Sequence, residues 1–154
     1  MNEQVLEELY KKWAYGQLAI EIKAEEGGRV VSDPDERFMI DWTISTVNRR
    51  RFINYLQRAA YENRALTSQE FVKLLRCSRR ALATMIEEVE PLDMVDISTN
   101  DKGMKTYKAS NKLMKYHMNY TKWLFRSVVN TGIRNTATAI LELENLPATS
   151  MPNV

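Results

Sequence analysis

The sequence predicts a mainly α-helical protein that carries one short β-hairpin. Residues 66–90 hold two helical patterns separated by only three residues, 76–78. Two short alternating runs follow, 94–98 and 105–109, joined by a loop that contains Asn, Asp and Gly. A helix-turn-helix followed directly by a hairpin is a winged helix-turn-helix. Long amphipathic patterns before and after it predict flanking N- and C-terminal helices.

The length and composition predict one globular domain. The chain has 154 residues, of which 44% are hydrophobic and 27% charged, and five Gly and four Pro leave few places to interrupt helices. We expect a single winged-helix domain over 1–144, with an N-terminal helix in 1–26, a winged helix-turn-helix core in 37–110 and C-terminal helices in 111–144. The last ten residues, 145–154, hold two Pro and little apolar surface and are predicted to be disordered.

The cysteine count and the apolar runs indicate where the protein acts. The single Cys77 excludes an intramolecular disulfide and favours a reducing compartment. No signal-peptide pattern and no apolar run of membrane-spanning length is visible. We therefore expect a cytoplasmic protein without a membrane partner.

The N-terminal half is predicted to form one helix over 3–25, a loop from Gly27 to Glu36, and helical structure over 35–63 with one possible break. The first helix has a broad apolar face made of Val5, Leu6, Leu9, Tyr10, Trp13, Ile20 and Ile22. The residues expected to face inward in the second region are Trp42, Ile44, Val47, Phe52, Ile53, Leu56 and Ala60. Three consecutive arginines, 49–51, cannot share a helix face, so at least one should point away from any DNA.

The two short helices of the helix-turn-helix have their own caps and apolar stripes. Thr67 or Ser68 can cap the first, and Ser78 can cap the second. The stripes are Phe71, Leu74 and Leu75 in the first helix and Leu82, Met85, Ile86 and Val89 in the second. After the hairpin, a long helix is predicted from 110 to about 129 and another over 133–144, with a break at Thr131-Gly132.

The basic residues are concentrated in the helix-turn-helix region. Residues 1–42 hold five Lys or Arg against ten Asp or Glu, 43–82 hold nine against two, and 83–154 hold eight against eight. A block of charge +7 that coincides with a helix-turn-helix indicates a nucleic-acid contact. The alternative is that the block is an ordinary solvated face.

The residue types in the two helices of the helix-turn-helix and in the wing indicate how duplex DNA would be bound. Arg79 and Arg80 open the second helix, with Arg79 favoured for a phosphate and Arg80 for a base edge, and Ala83 and Thr84 lie one turn on. The remaining candidates are backbone contacts from the first helix, the cap of the second, and the wing: Ser68, Gln69, Lys73, Ser78, Lys102 and Lys105. Glu87, Glu88 and Glu90 make the far end of the second helix acidic, so only its N-terminal half should enter the groove.

The run from Leu66-Thr67 through Glu70 and from Ser78 through Glu90 resembles the MarR-type transcriptional regulators. The similarity covers about 45 residues without a gap until the wing, and its motif is degenerate. The chain departs from the family pattern at Asp93, where Gly is usual before the first wing strand. It also departs at the wing tip, where Asp101 and Lys102 replace an Asp-x-Arg pair.

The resemblance implies a dimer formed by the terminal helices, which also agrees with the need of their apolar side chains for a partner surface. The candidate dimerisation residues are Leu9, Trp13, Tyr120, Trp123, Leu124 and Ile140. The alternative is an intramolecular cover without a dimer. MarR-type proteins often bind aromatic effectors, and Trp13, Trp42, Tyr10 and Tyr61 are candidates for such a pocket, although aromatic residues at helical spacing are usually core. The effector stays unknown.

Catalysis, cofactors and metals have little support in the sequence. The lone His117 lies on an apolar helical stripe and is interpreted as a core or interface histidine. No His, Cys, Asp or Glu pair has metal-ligand spacing, and Gly27-Gly28 is not a phosphate-binding loop. Cys77 lies at a helix start among arginines, which favours its thiolate form, but a small turn residue is the simpler interpretation. We expect no enzyme activity, no cofactor and no metal.

The sequence thus favours a dimeric, sequence-specific, double-stranded-DNA-binding transcriptional regulator. Two alternatives stay open. One is a winged-helix adaptor that binds another protein and no DNA, and the other is a DNA-binding protein of viral replication or packaging. The sequence does not reveal the operator, the regulated genes or the sign of regulation.

Overall fold

A computed structural model of the protein describes residues 2–25 and 29–144. The predicted tail over 145–154 and the Gly27-Gly28 turn lie outside these residues. In chain order the elements are α1 (Asn2–Glu25), α2 (Pro34–Ser45), α3 (Val47–Tyr61), β1 (Leu66–Thr67), α4 (Ser68–Leu75), α5 (Arg79–Val89), a 3₁₀ turn (Glu90–Leu92), β2 (Val95–Thr99), β3 (Lys105–Ala109), α6 (Asn111–Thr131) and α7 (Ile133–Leu143). The prediction of a mainly helical winged helix-turn-helix with flanking helices is confirmed.

The chain divides into two compact units. The central unit comprises residues 31–119, and the terminal unit comprises the described residues up to 30 and from 120 onward. The helix α6 contributes its first turns to the central unit and its remaining turns to the terminal unit.

The central unit is built around an aromatic core. Phe71 of α4 packs against Phe52 of α3 and Tyr107 of β3, with ring centroids 5.3 and 6.4 Å apart, and Trp42 of α2 approaches Phe52 edge-on at 6.4 Å. Phe52 and Phe71 are fully buried. Three helices, α2, α3 and α4, and the strand β3 therefore share one core, which holds α4 and the wing in a defined relation.

The sheet contains one strand that the sequence prediction missed. Leu66 and Thr67, interpreted as the approach to α4, pair antiparallel with Tyr107 and Thr106, so the order of the three strands is β1-β3-β2. A two-residue strand has too short an alternation to be recognised in a sequence. Its pairing anchors the base of the wing next to the start of α4.

The predicted inward face of the helical region over 35–63 is wrong at the corner between α2 and α3. The possible break is real and falls at Thr46, whose side chain accepts a hydrogen bond from the Arg49 amide and so begins α3. Ile44 and Val47 were expected to face inward, but they flank this corner and are 59% and 69% exposed. One continuous helical period does not pass through a break, so the inward face changes phase there.

The terminal unit is held by packing of α1 against α7. The inward face of α1 is narrower than predicted: Val5, Tyr10 and Ile22 are exposed, whereas Gly16 and Ile20 are buried. A Cβ atom at Gly16 would lie 2.0 Å from Cγ2 of Ile133, so the two helices approach each other at this glycine. The predicted break between α6 and α7 is confirmed at Gly132, which adopts a positive φ of 70°.

Replacement of Gly16 by alanine is expected to destabilise the terminal unit by about 1–2 kcal/mol, because an overpacking cost of roughly 1–3 kcal/mol exceeds the better helix propensity of alanine. Urea denaturation followed by circular dichroism measures the effect. In an Ile133→Ala background the obstructing methyl group is absent, so Gly16→Ala should instead stabilise. The same sign of change in both backgrounds would contradict the close approach.

A polar cluster joins the start of α2 to the first turns of α6 within the central unit. The Tyr116 hydroxyl donates to Asp33 at 2.8 Å, Lys112 Nζ donates to Asp35 at 2.7 Å, and the Asn119 amide donates to buried Glu36 at 2.9 Å. Asp33 also caps α2, accepting from the Asp35 amide at 2.9 Å. The hydrogen bond from Tyr116 is the main reason why the pKa of Asp33 is lowered, and burial is the main reason why the pKa of Tyr116 is raised.

This cluster makes the stability sensitive to acid. Because the folded state lowers the pKa of Asp33, the carboxylate stabilises the fold above its ordinary pKa of about 4, and that contribution is lost as the pH falls through the lowered folded value. Tyr116→Phe should therefore destabilise the protein at about pH 6 and have a smaller effect at about pH 3, below the ordinary pKa of the carboxyl group. Urea titrations at both pH values test this, and a difference that does not change with pH would contradict it.

His117 on α6 has a partner in the central unit. Its Nδ1 lies 2.9 Å from the Tyr61 hydroxyl, and the two rings meet edge to face with centroids 5.6 Å apart. Burial lowers its pKa, which favours the neutral ring near pH 7. His117 is half-buried, and these contacts agree with its interpretation as a satisfied core or interface histidine.

Candidate nucleic-acid interface

The second helix of the helix-turn-helix, α5, exposes its N-terminal half on one side. Ser78 caps it, with Oγ accepting from the Ala81 amide at 3.0 Å, as the sequence predicted. The side buried against the core consists of Leu82, Met85, Ile86 and Val89. The exposed side, which follows from about 100° of rotation per residue, carries Arg79, Arg80, Ala83, Thr84 and Glu87.

The charge on this exposed side is favourable for an anion. Within the part of the chain that the structure describes, neither Arg79 nor Arg80 forms an ion pair. Both lie in the first turn of α5, where the helix dipole contributes additional positive potential. The Thr84 hydroxyl donates to the Arg80 carbonyl at 3.0 Å, so its oxygen is left with acceptor capacity only.

The start of α4 has a different electrostatic character. Thr67, and not Ser68, is the cap, and Glu70 completes a capping box: the Glu70 amide donates to Thr67 Oγ1 at 3.2 Å and the Thr67 amide donates to Glu70 Oε1 at 3.3 Å. The carboxylate offsets the positive end of the helix dipole. Of the predicted contacts on α4, Gln69 and Lys73 are exposed, and the Ser68 hydroxyl lies 3.4 Å from the Tyr107 hydroxyl.

The wing has an ordered tip. Asn100 Oδ1 accepts from the amides of Lys102 and Met104, each at 3.0 Å, and Gly103 supplies a positive φ of 76°. The β2 and β3 strands run in register from Val95↔Ala109 to Thr99↔Lys105. Asp93, before the wing, adopts the left-handed region with φ 59°, which agrees with its expected role in place of glycine. Lys102 and Lys105 are exposed on the wing.

A cleft of about 530 Å³ separates the wing tip from α4. Its lining consists of Thr67, Gln69, Glu70, Lys73, Asn100, Asp101, Lys102 and Met104. Three predicted contact residues, Gln69, Lys73 and Lys102, therefore meet in one concave surface. The two lysines stand beside two carboxylates, so this cleft is less basic than the first turn of α5.

In the folded chain, several cations of the basic block over 43–82 are paired with acidic residues or donate to a backbone carbonyl. Arg49 pairs with Glu88 at 2.9 Å, and Arg58 and Arg64 both pair with Glu62 at 2.9 Å. Arg51 donates to the Leu74 carbonyl at 3.0 Å. The cations of the block without an ion pair among the described residues, apart from Arg51, are Arg50, Lys73, Arg76, Arg79 and Arg80.

The turn between the two reading helices adds a residue that the prediction of contacts omitted. Arg76 ends α4 in the left-handed region with φ 52° and is exposed, next to Arg79 and Arg80 in sequence. Its position in the basic block was the signal available in the sequence. Cys77 packs partly buried against the central core, as a turn residue between two helices would.

The candidate dimerisation and effector residues lie in different surroundings. Leu9, Trp13, Trp123 and Leu124 are half-buried, Tyr120 is exposed and stacks on Trp123, and Ile140 is buried inside the terminal unit at 6% exposure. Trp42 is buried and Tyr61 is bonded to His117, both in the central unit, whereas Tyr10 bonds Glu144 in the terminal unit.

Among the described residues, no group of three or more His, Cys, Asp or Glu residues is arranged to hold a metal ion. Among the helices of the same residues, none combines the length and apolarity needed to cross a bilayer.

Comparison with solved structures places the fold. The structure is similar to that of S. aureus MepR in a complex with DNA, with 13% identity and a TM-score of 0.54 over 82% of this chain and 97% of that one. It is also similar to MepR, a transcription regulator of the Staphylococcus aureus multidrug efflux pump MepA, with 12% identity and a TM-score of 0.43 over 90% of this chain and 85% of that one. A third similar structure is the heme sensor protein PefR from Streptococcus agalactiae in complex with heme, with 12% identity and a TM-score of 0.47 over 89% and 96% of the two chains.

No protein-family model matches the sequence, and neither does any curated protein. At 13% identity, the similarity to DNA-bound MepR shows a shared fold. It confirms the winged-helix fold that the resemblance of residues 66–90 to the MarR-type regulators implied.

Proposed function

We propose that this winged-helix protein is a dimeric transcriptional regulator that binds specific sequences in double-stranded DNA and acts in the cytoplasm. The observation that carries the proposal is the exposed first turn of α5, where Arg79 and Arg80 form no ion pair with any described residue and lie beside a helix N-terminus capped by Ser78. The fold it shares with DNA-bound MepR supports the same function.

In the proposed complex, α5 enters the major groove by its N-terminal half. Arg79 and Arg80 reach phosphate and base edges, Ala83 offers a methyl group to thymine, and the Thr84 oxygen accepts from a base amine. Glu87 lies on the same exposed side and would repel phosphates, which limits the depth of insertion. Specific readout therefore rests on few side chains close to the turn.

The other contacts position the protein on the backbone. Gln69, Lys73 and Arg76 approach phosphates from α4 and the turn, with Ser68 and the Ser78 cap beside them. Lys102 and Lys105 of the wing approach the flanking minor groove or its phosphates. Because the wing tip carries a lysine and no arginine, its contact is expected to add affinity and little sequence discrimination.

The dimer is proposed to form through the terminal unit. Its surface exposes several large apolar side chains, namely Tyr15, Leu18, Ile22, Phe125 and Val129, with Tyr15 77% exposed. Leu9, Trp13, Tyr120, Trp123 and Leu124 supply further apolar area, whereas Ile140 would support the interface from within. Such exposed area is typical of an association surface. A two-fold dimer would place its recognition helices on half-sites about one DNA turn apart.

The test of DNA binding is fluorescence anisotropy of a labelled random-sequence duplex, followed by selection of bound duplexes from a random library. We expect micromolar or tighter binding that weakens steeply with salt, and one enriched, two-fold-symmetric sequence. Binding without any enriched sequence would favour a packaging role. No binding even at low salt would reject the proposal in favour of the protein adaptor.

The test of the dimer is sedimentation equilibrium of the wild type and of Phe125→Glu/Val129→Glu. We expect a dimer for the wild type and a folded monomer for the variant, because two carboxylates would be placed in an apolar interface. Lys122→Ala/Arg126→Ala, on exposed positions of the same helix, changes the net charge by the same two units and serves as the charge control. A monomeric wild type would contradict this part of the proposal.

A further inference from the structure

The last turn of α5, which we call its rear, is attached to the corner between α2 and α3 by a polar cluster that the sequence did not reveal. Glu88 Oε2 accepts from Trp42 Nε1 at 2.6 Å and from Arg49 Nη2 at 2.9 Å. The Arg49 guanidinium lies 5.0 Å from the centre of the Trp42 ring, and its Nη1 donates to Ser45 Oγ at 2.8 Å. Ser45 Oγ in turn donates to the Trp42 carbonyl at 2.5 Å. We call these four residues the rear clamp.

The rear clamp restrains rotation of α5 about its own axis, a motion that apolar packing restrains less strongly. The buried face of α5 consists of Leu, Met, Ile and Val side chains, whose contacts are not directional. Hydrogen bonds are directional, and a carboxylate held by an indole N–H and a guanidinium has a defined orientation. Since Glu88 lies beside the buried face, its two bonds resist rotation of α5 about its own axis.

Rotation of α5 matters because the reading side chains are long. Arg80 and Glu88 are eight residues apart on the same rigid helix, about 12 Å at 1.5 Å per residue. A rotation of about 20° would carry a guanidinium some 8 Å from the axis through about 3 Å, beyond the roughly 0.5 Å tolerance of a bidentate base contact. A contact to a phosphate tolerates such a shift better, since a lysine or arginine can reach neighbouring oxygens.

We infer that Arg49, Trp42 and Glu88 are positioning residues that set the sequence discrimination of the DNA interface without touching DNA. This inference rests on the proposed function. It explains why one arginine of the 49–51 run is withdrawn from solvent into a pair with an acidic residue of α5. It also assigns a structural use to Glu88, whereas its neighbour Glu87 is exposed and has no ion pair within the described residues.

The experiment compares the selected duplex with a random duplex by anisotropy for the wild type, Arg49→Ala, Arg49→Lys, Glu88→Gln and Arg50→Ala. Arg49→Ala should lower the ratio of the two affinities at least tenfold while random-duplex binding and its salt dependence change less than threefold. Arg49→Lys keeps the charge but not the planar fork and should lose most of the ratio. Glu88→Gln keeps an acceptor oxygen and should retain the ratio within about threefold.

Two controls separate positioning from loss of fold or of charge. Thermal unfolding sets a temperature at which each variant is folded, and preserved random-duplex binding shows that the interface is intact. Arg50→Ala removes the same positive charge from the adjacent exposed position, which has no ion pair within the described residues, and should leave the ratio unchanged. An Arg49→Ala ratio equal to that of the wild type would overturn the clamp alone. A wild type without sequence preference would overturn the proposed function together with it.

Discussion

Replacement of Arg79 and Arg80 together by alanine is expected to weaken specific DNA binding by at least about 30-fold. Each good base-edge contact contributes about 1–3 kcal/mol and each phosphate contact adds electrostatic affinity, so the pair should cost roughly 2–5 kcal/mol, a 30- to several-thousand-fold loss. Neither side chain is needed by the core, since both are exposed and without ion pairs in the described part of the chain. The variant should therefore unfold at the wild-type temperature.

The single variants distinguish the roles of the two arginines. Loss of a residue that contacts phosphate should lower the slope of log K against log salt concentration by about one. It should also weaken binding to all DNA sequences alike. A residue that contacts a base should relax specificity at one position of the operator. We expect the first behaviour for Arg79→Ala and the second for Arg80→Ala.

The matched control is Arg126→Ala/Arg134→Ala, which removes the same charge from exposed positions of α6 and α7 in the terminal unit. Anisotropy with the selected duplex at two salt concentrations measures all variants. If both double variants lose the same modest affinity, binding depends on net charge and not on the first turn of α5.

Phe71→Ala is expected to produce the largest loss of stability in the central unit. The side chain is fully buried and packs on Phe52 and Tyr107, so its removal leaves a cavity between α3, α4 and β3. Such a truncation costs about 3–5 kcal/mol. For a chain of this size, that corresponds to a fall of roughly 6–20 °C in Tm.

Phe38 provides the comparison for this prediction. It lies on α2 and is 45% exposed, so Phe38→Ala should lower the free energy of unfolding by less than about 1 kcal/mol. Thermal and urea denaturation followed by circular dichroism measure both variants. Equal shifts for the two variants would show that Phe71 is not part of a closely packed core. Because α4 and the wing share this core, Phe71→Ala should also weaken DNA binding at temperatures near its midpoint.

Local sequence signals predicted most of the elements because their causes are local. Ser78 caps α5 through its own side chain, Gly132 separates α6 from α7 through its own positive φ, and Asp93 occupies the left-handed turn before the wing. The exposed reading residues were also predictable, since the helical period separates Arg79 and Arg80 from the buried stripe of α5. Errors arose where a period is interrupted or too short to recognise: Ile44 and Val47 at the Thr46 break, and β1 with two residues.

Pairing between distant charged side chains was not predictable in the same way. In the sequence, 43–82 is a block of charge +7, but Glu88 lies outside it and Arg49 is 39 positions away. Only the packing of α5 against the α2–α3 corner brings them to 2.9 Å, and only that contact shows that the Arg49 guanidinium is already paired with a carboxylate.

The sequence by itself therefore determined the class of fold, the helix-turn-helix with its wing, and the exposed basic first turn of α5. Caps, turns and amphipathic periods depend on residues only a few positions apart. They can therefore be recognised in the sequence without knowledge of the tertiary structure. The tertiary structure alone decided which cations remain available, how α1 and α7 meet at Gly16, and how the rear of α5 is held. These depend on distances between residues far apart in the chain, which exist only once the apolar core has brought the helices together.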